Sequence, residues 1–233
     1  TVDDPNLDGD EEFTPNGSKA WTAERLEIKL DNLSRVIKQM NHGKGPDVLG
    51  LCEIENRAVV TMLIKKLQSL GRDYQITHRD SPSHRGIDCA LLHDAKVLQL
   101  VGTPRFHEIK DGHTREVVEA RLKWKSQEFT VMVNHWPSQQ NPETDRIQVA
   151  KTIRRRVDEL LGKNSHEDIL LIGDFNELPG SEALAKGLRT WGDPDTLQPG
   201  VLFNSMWALH AEKKGGTYVY NNKWDVLDQI ILS

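Results

Sequence analysis

The sequence of 233 residues contains no apolar run that approaches the roughly 18 residues of a membrane-spanning helix. It has only two cysteines, Cys52 and Cys89, and neither belongs to a CxxC pair, so a cysteine-based metal site is not indicated. Both cysteines lie in apolar, strand-like runs, and we therefore expect buried free thiols.

The chain also lacks an excess of positive charge. Its 30 basic residues stand against 35 acidic ones, which gives a net charge of −5. Proteins that coat nucleic acid are usually basic, so the charge does not support binding of nucleic acid through a broad basic surface. A nuclease that acts through a local site stays compatible with this charge. Neither the compartment nor the oligomeric state can be inferred from the composition.

Several common catalytic motifs are missing. No strand is followed by a GxxxxGK[ST] or GxGxxG loop, which argues against the nucleotide-binding folds built on these loops. No GxSxG segment is present, which argues against acyl hydrolysis through a serine nucleophile.

Residues 1–18 are acidic and interrupted by Pro and Gly, so we predict a loop. Asp4–Gly9 matches the first half of a calcium loop, but Pro15 replaces its closing glutamate, and calcium is the weaker alternative.

Apolar residues at helical spacing predict three helices, over residues 26–40, 59–70 and 147–161. Strand-like runs lie at 47–52, 87–92, 96–101, 116–124, 129–134, 168–172 and 226–232. Strands outnumber helices and some neighbours look antiparallel. We therefore predict one α/β (α+β) domain over residues 1–233, with helices packed outside mixed sheets. The arginine run at 154–156 is expected to be a solvated helix face, with phosphate binding as the alternative.

Three of the predicted strands end in short polar clusters. The clusters are Glu53-Ile54-Glu55-Asn56, Asn134-His135-Trp136-Pro137 and Gly173-Asp174-Phe175-Asn176-Glu177. Side chains at such positions are held by the core and stay open to a ligand. Their carboxylate and carboxamide oxygens suit Mg²⁺, Mn²⁺ or Ca²⁺ better than zinc. The clusters therefore predict metal-assisted hydrolysis, in which one carboxylate holds the cation, a second activates water and neutral donors hold a phosphate.

The order and spacing of four segments resemble the endonuclease/exonuclease/phosphatase superfamily. The segments are Leu51–Glu55, Asn134–Pro137, Gly173–Asn176 and Leu227–Ile230. This superfamily includes DNase I-like and exonuclease III-like nucleases, sphingomyelinases and inositol-phosphate 5-phosphatases. The resemblance implies a DNase I-like fold, which is a two-sheet mixed β-sandwich flanked by helices. It also implies a hydrolase that acts on phosphate esters with Mg²⁺ or Mn²⁺.

The resemblance assigns a role to each of five residues. It implies Glu53 as the metal ligand, and Asp174 as the group that orients and deprotonates the attacking water or helps to hold it near the metal. It implies Asn176 as a donor to the phosphate and His135 as the group that stabilises the charged transition state. Asp228 matches the acid that orients a further histidine. We expect all five to line one concave pocket at a shared sheet edge.

Residues beside these motifs are further candidates. Arg85 and Asn134 are predicted to bind substrate, and Asp88 to orient His135, although a turn ion pair explains Arg85 and Asp88 equally well. Trp136 is expected to flank the pocket.

Each of the three main candidates also has a purely structural interpretation. These are a turn cap for Asp174, a buried core histidine for His135 and a surface charge for Glu53.

The chain departs from the superfamily in two places. No strand with an Asn ligand precedes Glu53, and no Ser-Asp-His run follows Asp228, so we expect a fragment in which terminal strands are missing. The same departures motivate an alternative function, a catalytically inactive relative that binds phosphate or acts as a scaffold. The substrate stays open among DNA, RNA, a phospholipid headgroup and a sugar phosphate. The choice between endonuclease, exonuclease and phosphatase activity stays open with it.

Overall fold

The computed structural model describes residues 11–81, 86–109 and 114–233 and contains both helices and strands. Within these residues the four α-helices are α1 (Ala23–Gly43), α2 (Arg57–Lys66), α3 (Glu143–Lys163) and α4 (Trp207–Glu212). The strands are β1 (Val48–Ile54), β2 (Tyr74–His78), β3 (Asp88–Asp94), β4 (Gln99–His107), β5 (Val117–Trp124), β6 (Gln127–His135), β7 (Asp168–Asp174), β8 (Thr190–Trp191), β9 (Leu202–Asn204), β10 (Tyr218–Tyr220), β11 (Lys223–Asp225) and β12 (Asp228–Leu232). The candidate calcium segment at residues 4–9 lies outside the described residues.

Polar caps start the first two helices, and both lie where the sequence predicts a helix. The Thr22 hydroxyl accepts a hydrogen bond from the Arg25 amide at 3.3 Å, and the Asn56 side chain accepts one from Val59 at 3.1 Å. These bonds satisfy backbone donors that the first helical turn leaves free. Asn56, the last residue of the polar cluster that begins at Glu53, therefore serves as the cap of helix α2.

The strands form two sheets and a separate hairpin. The smaller sheet has the order β1-β3-β2 and is antiparallel, and β10 pairs with β11 in the hairpin. The larger sheet has the order β4-β5-β6-β7-β12-β9-β8. It is mixed, because β6 pairs with β7 and β8 with β9 in parallel while its other pairs are antiparallel. Helix α3 supplies the crossover that the parallel pair β6–β7 requires.

The two sheets pack against each other through apolar side chains. Cys89 and Leu91 of β3 share one buried cluster with Val131 and Val133 of β6. At Gly50 of β1, an added Cβ would lie only 2.8 Å from Cδ1 of Ile172 on β7, so the two sheets approach closely there. Helices α1 and α2 cover the other face of the small sheet, and α3 covers the other face of the large one.

The mixed α/β class predicted from the sequence is therefore confirmed. Both cysteines are free thiols, with Cys89 buried and Cys52 partly buried. Within the described segments, no helix is both long enough and apolar enough to cross a membrane.

The arginine run on α3 corrects one expectation. Arg155 is exposed as predicted, but Arg154 and Arg156 are buried. Helix α3 places Arg156 over the sheet, and Arg154 donates to the Leu188 carbonyl at 3.4 Å. The guanidinium of Arg156 donates to both carboxylate oxygens of Glu119, at 2.8 and 2.7 Å, and His107 lies 2.6 Å from the same carboxylate. Burial would raise the pKa of Glu119, but its bonds with Arg156 and His107 outweigh burial and lower the pKa to about 2.

Removing one partner of this buried ion pair is expected to destabilise the fold. Arg156→Met should lower the free energy of unfolding by about 3–5 kcal/mol, because it leaves the Glu119 carboxylate buried without its main partner. Urea unfolding at pH 7 measures the change, and Arg155→Met on the exposed side of the same turn should stay within about 0.5 kcal/mol of the parent. Equal effects of the two variants would contradict a structural role for the pair. The stabilisation from Glu119 should be full above its unfolded pKa of 4.5 and lost as the pH falls to about 2.

Candidate active site

Three strand ends bring polar side chains to one edge of the large sheet. In the parallel pair β6–β7, His135 lies beside Asp174, and in the antiparallel pair β7–β12, Asp174 lies beside Asp228. His135 is buried, and its Nε2 lies 3.9 Å from Oδ2 of Asp174. Asp174 therefore has an imidazole on one side and a second carboxylate on the other.

Glu53 reaches this edge through a bulge in β1. The pairing of β1 with β3 shifts register between Leu51 and Ile54, and Glu53 has a φ of +56°, in the left-handed region. Cys52 packs between the two sheets whereas Ile54 packs with the helices on the other face, so Glu53 is the extra residue of the bulge. A non-glycine residue in this conformation costs on the order of 1 kcal/mol. Its carboxylate is exposed.

The charges around Asp174 show how closely these groups meet. Burial is the main cause that raises the pKa of Asp174 from 3.8 to about 6, and the negative charges of Asp228 and Glu53 raise it further. The Asn176 amide and the Arg115 guanidinium oppose the rise. Two carboxylates from distant parts of the chain thus add negative charge around Asp174, which is the arrangement that a bound cation relieves.

The turn after β7 is fixed by glycine and by a chain of backbone bonds. Gly173 has a φ of +128°, and a Cβ there would lie 2.0 Å from the Asn134 carbonyl oxygen, so glycine is required. The Asn176 amide donates to Oδ1 of Asp174 at 2.8 Å, and the Trp136 amide donates to the Asp174 carbonyl at 2.9 Å. The Asn176 side chain donates one amide hydrogen to the Trp136 carbonyl at 3.0 Å, which leaves its second hydrogen for a ligand.

Two predictions about the β6 cluster are corrected. Asn134 is fully buried, and its side chain donates to the Met132 carbonyl at 3.1 Å and accepts from the Trp136 indole at 3.1 Å, so it supports the strand end and does not face a substrate. Trp136 does not flank a pocket. It is fully buried in the core, with its ring 4.7 Å from that of Phe175. The physical reason is alternation along β6, which turns both side chains away from the face that His135 occupies.

The two candidates near the start of β3, Arg85 and Asp88, have different outcomes. Arg85 lies outside the described residues, so its predicted contact with substrate stays a prediction. Asp88 is buried, and its carboxylate contacts His78 Nε2 at 3.0 Å and accepts from the Ser81 amide at 2.9 Å. These two bonds join the ends of β2 and β3, and the sequence pattern indicated neither of them.

Sequence reasoning missed three residues that shape the site. Arg115 is buried just before β5 and acts electrostatically on Asp174. The Thr217 hydroxyl accepts from the Leu227 and Asp228 amides, at 3.1 and 3.0 Å, and so anchors the start of β12. The buried Gln229 side chain donates to the Glu177 and Val226 carbonyls at 2.9 and 2.8 Å. These last bonds tie β12 to the turn after β7. Of these three residues, only Gln229 lies in one of the four segments that resemble the superfamily, where it directly follows Asp228.

The comparison with known families decides the classification. The model of the endonuclease/exonuclease/phosphatase family matches residues 1–233. The chain belongs to this family. The resemblance carried by the four segments is confirmed. Protein angel of Drosophila melanogaster is 24% identical over 220 residues, which cover 88% of this chain and 58% of that protein. The chain thus spans little more than half the length of this curated relative.

Solved structures of the family share the fold. A mannosyl-6-phosphatase of Bacteroides thetaiotaomicron superposes with a TM-score of 0.66 at 16% identity, over 94% of this chain and 81% of that one. TDP2 of D. rerio, solved with a single-stranded DNA product, superposes with a TM-score of 0.65 at 15% identity, over 89% and 77% of the two chains. At these identities the likeness shows the fold alone.

Proposed function

We propose that this chain carries the catalytic site of a divalent-metal-dependent phosphoesterase, which hydrolyses a phosphodiester or phosphomonoester by attack of an activated water. The observation that carries the proposal is the meeting of Asp174 with Glu53, Asp228 and His135 at one sheet edge. Membership of a family of nucleases and phosphatases supports the same reaction class.

The residues fit a hard divalent cation. Glu53 offers an exposed carboxylate on a rigid bulge, and the repulsion that raises the pKa of Asp174 would fall if a positive charge lay among the three carboxylates. When bound, Mg²⁺ or Mn²⁺ supplies positive charge that polarises the phosphate. Oxygen donors suit these ions, and a single protein carboxylate is enough to hold Mg²⁺ when water completes its shell.

Each remaining residue has a distinct task in the proposal. Asp174 accepts the proton of the attacking water, and its pKa of about 6 in the metal-free protein leaves it ionised at pH 7. His135 and the second amide hydrogen of Asn176 stabilise negative charge that develops on the phosphate. Arg115 adds a positive charge near Asp174. The role implied for Asp228, the orientation of a further histidine, is kept as a proposal.

Two finer points of the fold belong to the same proposal. We propose that residues 1–233 form one domain, in which the two facing sheets correspond to the sandwich of DNase I-like proteins. The strands that the family resemblance adds before β1 and after β12 stay a prediction. The substrate is proposed only as a phosphate ester. Nucleic acid is one candidate substrate, because TDP2, which shares this fold, was solved with a single-stranded DNA product. A sugar phosphate is another, because a mannosyl-6-phosphatase also shares the fold.

The test uses the full-length protein with bis(p-nitrophenyl) phosphate as substrate. Hydrolysis should require Mg²⁺ or Mn²⁺ and stop with EDTA. Asn176→Ala should lower kcat, by at most about 10²–10³-fold, because it removes one neutral donor to the developing charge. Asn32→Ala, an exposed asparagine on α1, is the matched control and should leave kcat unchanged. Binding of the phosphate ester without turnover under either metal would favour the inactive, phosphate-binding alternative.

A further inference from the structure

A second group of metal-type ligands includes none of the proposed catalytic residues. One donor atom each from His78, Asp80 and Asp88 lies within 4.8 Å of the other two. His78 Nε2 is 3.0 Å from Oδ2 of Asp88 and 3.9 Å from Oδ1 of Asp80. Within residues 11–81, 86–109 and 114–233, this is the only group of three or more His, Cys, Asp or Glu side chains at such spacing.

The small sheet brings these residues together on its helix-covered face. His78 ends β2 and Asp88 begins β3, and the two strands are antiparallel neighbours. Tyr74 and Ile76 of β2 pack with α1 and α2, and alternation places His78 on the same face. Asp88 lies on that face with Ala90, whereas Cys89 points between the sheets. The cluster is thus behind the small sheet, while His135 and Asp174 belong to the large one. Its nearest proposed catalytic residue along the sheet is Glu53, which precedes Ile54, the β-sheet partner of Asp88.

The spacing of the donors suits a small transition-metal ion. Zinc lies about 2.0–2.2 Å from nitrogen and carboxylate ligands, so two ligands of a tetrahedral site are about 3.4 Å apart. The two distances from His78, 3.0 and 3.9 Å, lie on either side of that value. Imidazole as a ligand favours Zn²⁺ or Co²⁺ over Mg²⁺ and Ca²⁺.

The surroundings provide both support and access. The side chains of His78 and Asp88 are 3% and 4% exposed, whereas that of Asp80 is 84% exposed, so the site is closed behind and open in front. The second oxygen of Asp88 accepts from the Ser81 amide at 2.9 Å, the kind of bond that orients a metal ligand. The Ser81 hydroxyl oxygen is buried and has no hydrogen-bond partner among the described residues, so it can bond to a bound water.

We propose that His78, Asp80 and Asp88 bind a divalent transition metal of the zinc type, with water in the open position, separately from the catalytic cation. Without a metal, His78 and Asp88 are a simple hydrogen-bonded pair, and Asp80 is an exposed surface charge 3.9 Å from His78. Metal binding requires all three side chains, whereas the hydrogen-bonded pair requires only His78 and Asp88. Measuring metal affinity in variants of each residue therefore distinguishes the two states.

The test uses Zn²⁺ and Co²⁺ on the full-length protein with the substitutions Glu53→Gln and Asp174→Asn, which silence the proposed catalytic site. Calorimetry should show one Zn²⁺ per chain, and Co²⁺ should give the visible absorption of a low-coordinate site. His78→Gln should abolish both. Asp80→Asn should weaken Zn²⁺ at least about tenfold, since even supporting residues of a metal site cost 10–100-fold. Millimolar Mg²⁺ should not compete.

The matched control is His107→Gln. His107 is another imidazole bonded to a buried carboxylate, that of Glu119, but the described residues around it supply no third ligand. Its loss should leave Zn²⁺ binding unchanged. Because Asp80 is exposed, Asp80→Asn keeps the test valid if the His78 variant does not fold. No Zn²⁺ binding in the silenced protein would overturn the proposal, and so would binding that Asp80→Asn leaves intact.

Discussion

Replacing Glu53 by glutamine is expected to abolish metal-dependent hydrolysis and leave the fold intact. The side chain is exposed on a bulge, so the substitution removes a charge and almost no packing. Glutamine keeps the shape of the side chain but offers a much weaker ligand to Mg²⁺, which prefers carboxylate oxygen. The measurements are hydrolysis of bis(p-nitrophenyl) phosphate with Mn²⁺ and the affinity for Mg²⁺ by calorimetry.

The same variant should change the titration of Asp174. The negative charge of Glu53 helps to raise the pKa of that group, so its removal should lower the pKa and shift the titration to lower pH. Glu143→Gln, an exposed glutamate in the first turn of α3, is the control and should alter neither metal affinity nor activity. Full activity of Glu53→Gln, or an unchanged affinity for Mg²⁺, would refute the assignment of Glu53 as the ligand.

The positions of the site residues along their strands could be predicted from the sequence because they depend on local pattern. An apolar run followed by a polar cluster marks a strand end, and His135 and Asp174 each follow such a run. Parallel neighbours end at the same edge, so the two residues had to come close once β6 and β7 paired. The glycine at 173 is explained by the same pairing, since its backbone meets the carbonyl of Asn134.

The orientation of side chains within the cluster could not be predicted in the same way. The end of β6 is buried on both faces, so its central run Val131–Val133 is continuously apolar and does not show which face belongs to the site. Asn134 and Trp136 therefore looked as suitable as His135, although they point into the opposite core. The bulge at Glu53 had no local marker either, because its left-handed residue is not a glycine.

Burial of charge was missed because it depends on partners far apart in sequence. Arg156 is buried only because α3 places it over Glu119, which lies 37 residues away on β5. Arg115 reaches Asp174 through the packing of strands that are distant in the chain. Helix periodicity identifies the apolar face of α3, but it cannot show that an arginine at its margin meets a carboxylate on the sheet.

The substitution Asp174→Asn tests whether the negative charge of Asp174 destabilises the folded protein. The folded protein raises the pKa of Asp174 from 3.8 to about 6, so the ionised carboxylate destabilises the fold at neutral pH. Stability from this group is highest below pH 3.8 and is lost as the pH rises through about 6. In metal-free protein at pH 7 the asparagine variant should therefore be more stable than the parent, by up to about 3 kcal/mol.

The same substitution is expected to lower kcat by at least about a hundredfold, with KM nearly unchanged. Asparagine keeps the shape and the hydrogen bonding of the side chain but cannot accept a proton, and general-base assistance typically contributes about 10²–10⁴-fold. Steady-state kinetics on the full-length protein with bis(p-nitrophenyl) phosphate and Mn²⁺ measures both constants. Asp168→Asn, at the exposed start of the same strand, is the control and should leave both constants unchanged.

The pH profile distinguishes a proton acceptor from a group that only binds substrate. The parent should lose activity as the pH falls and Asp174 becomes protonated. This acid limb should lie at or below about pH 6, because a bound cation lowers the pKa from its metal-free value. The residual activity of Asp174→Asn should lack the limb. A raised KM at unchanged kcat would mean that Asp174 holds substrate, and an unchanged acid limb in the variant would place the proton acceptor on another residue.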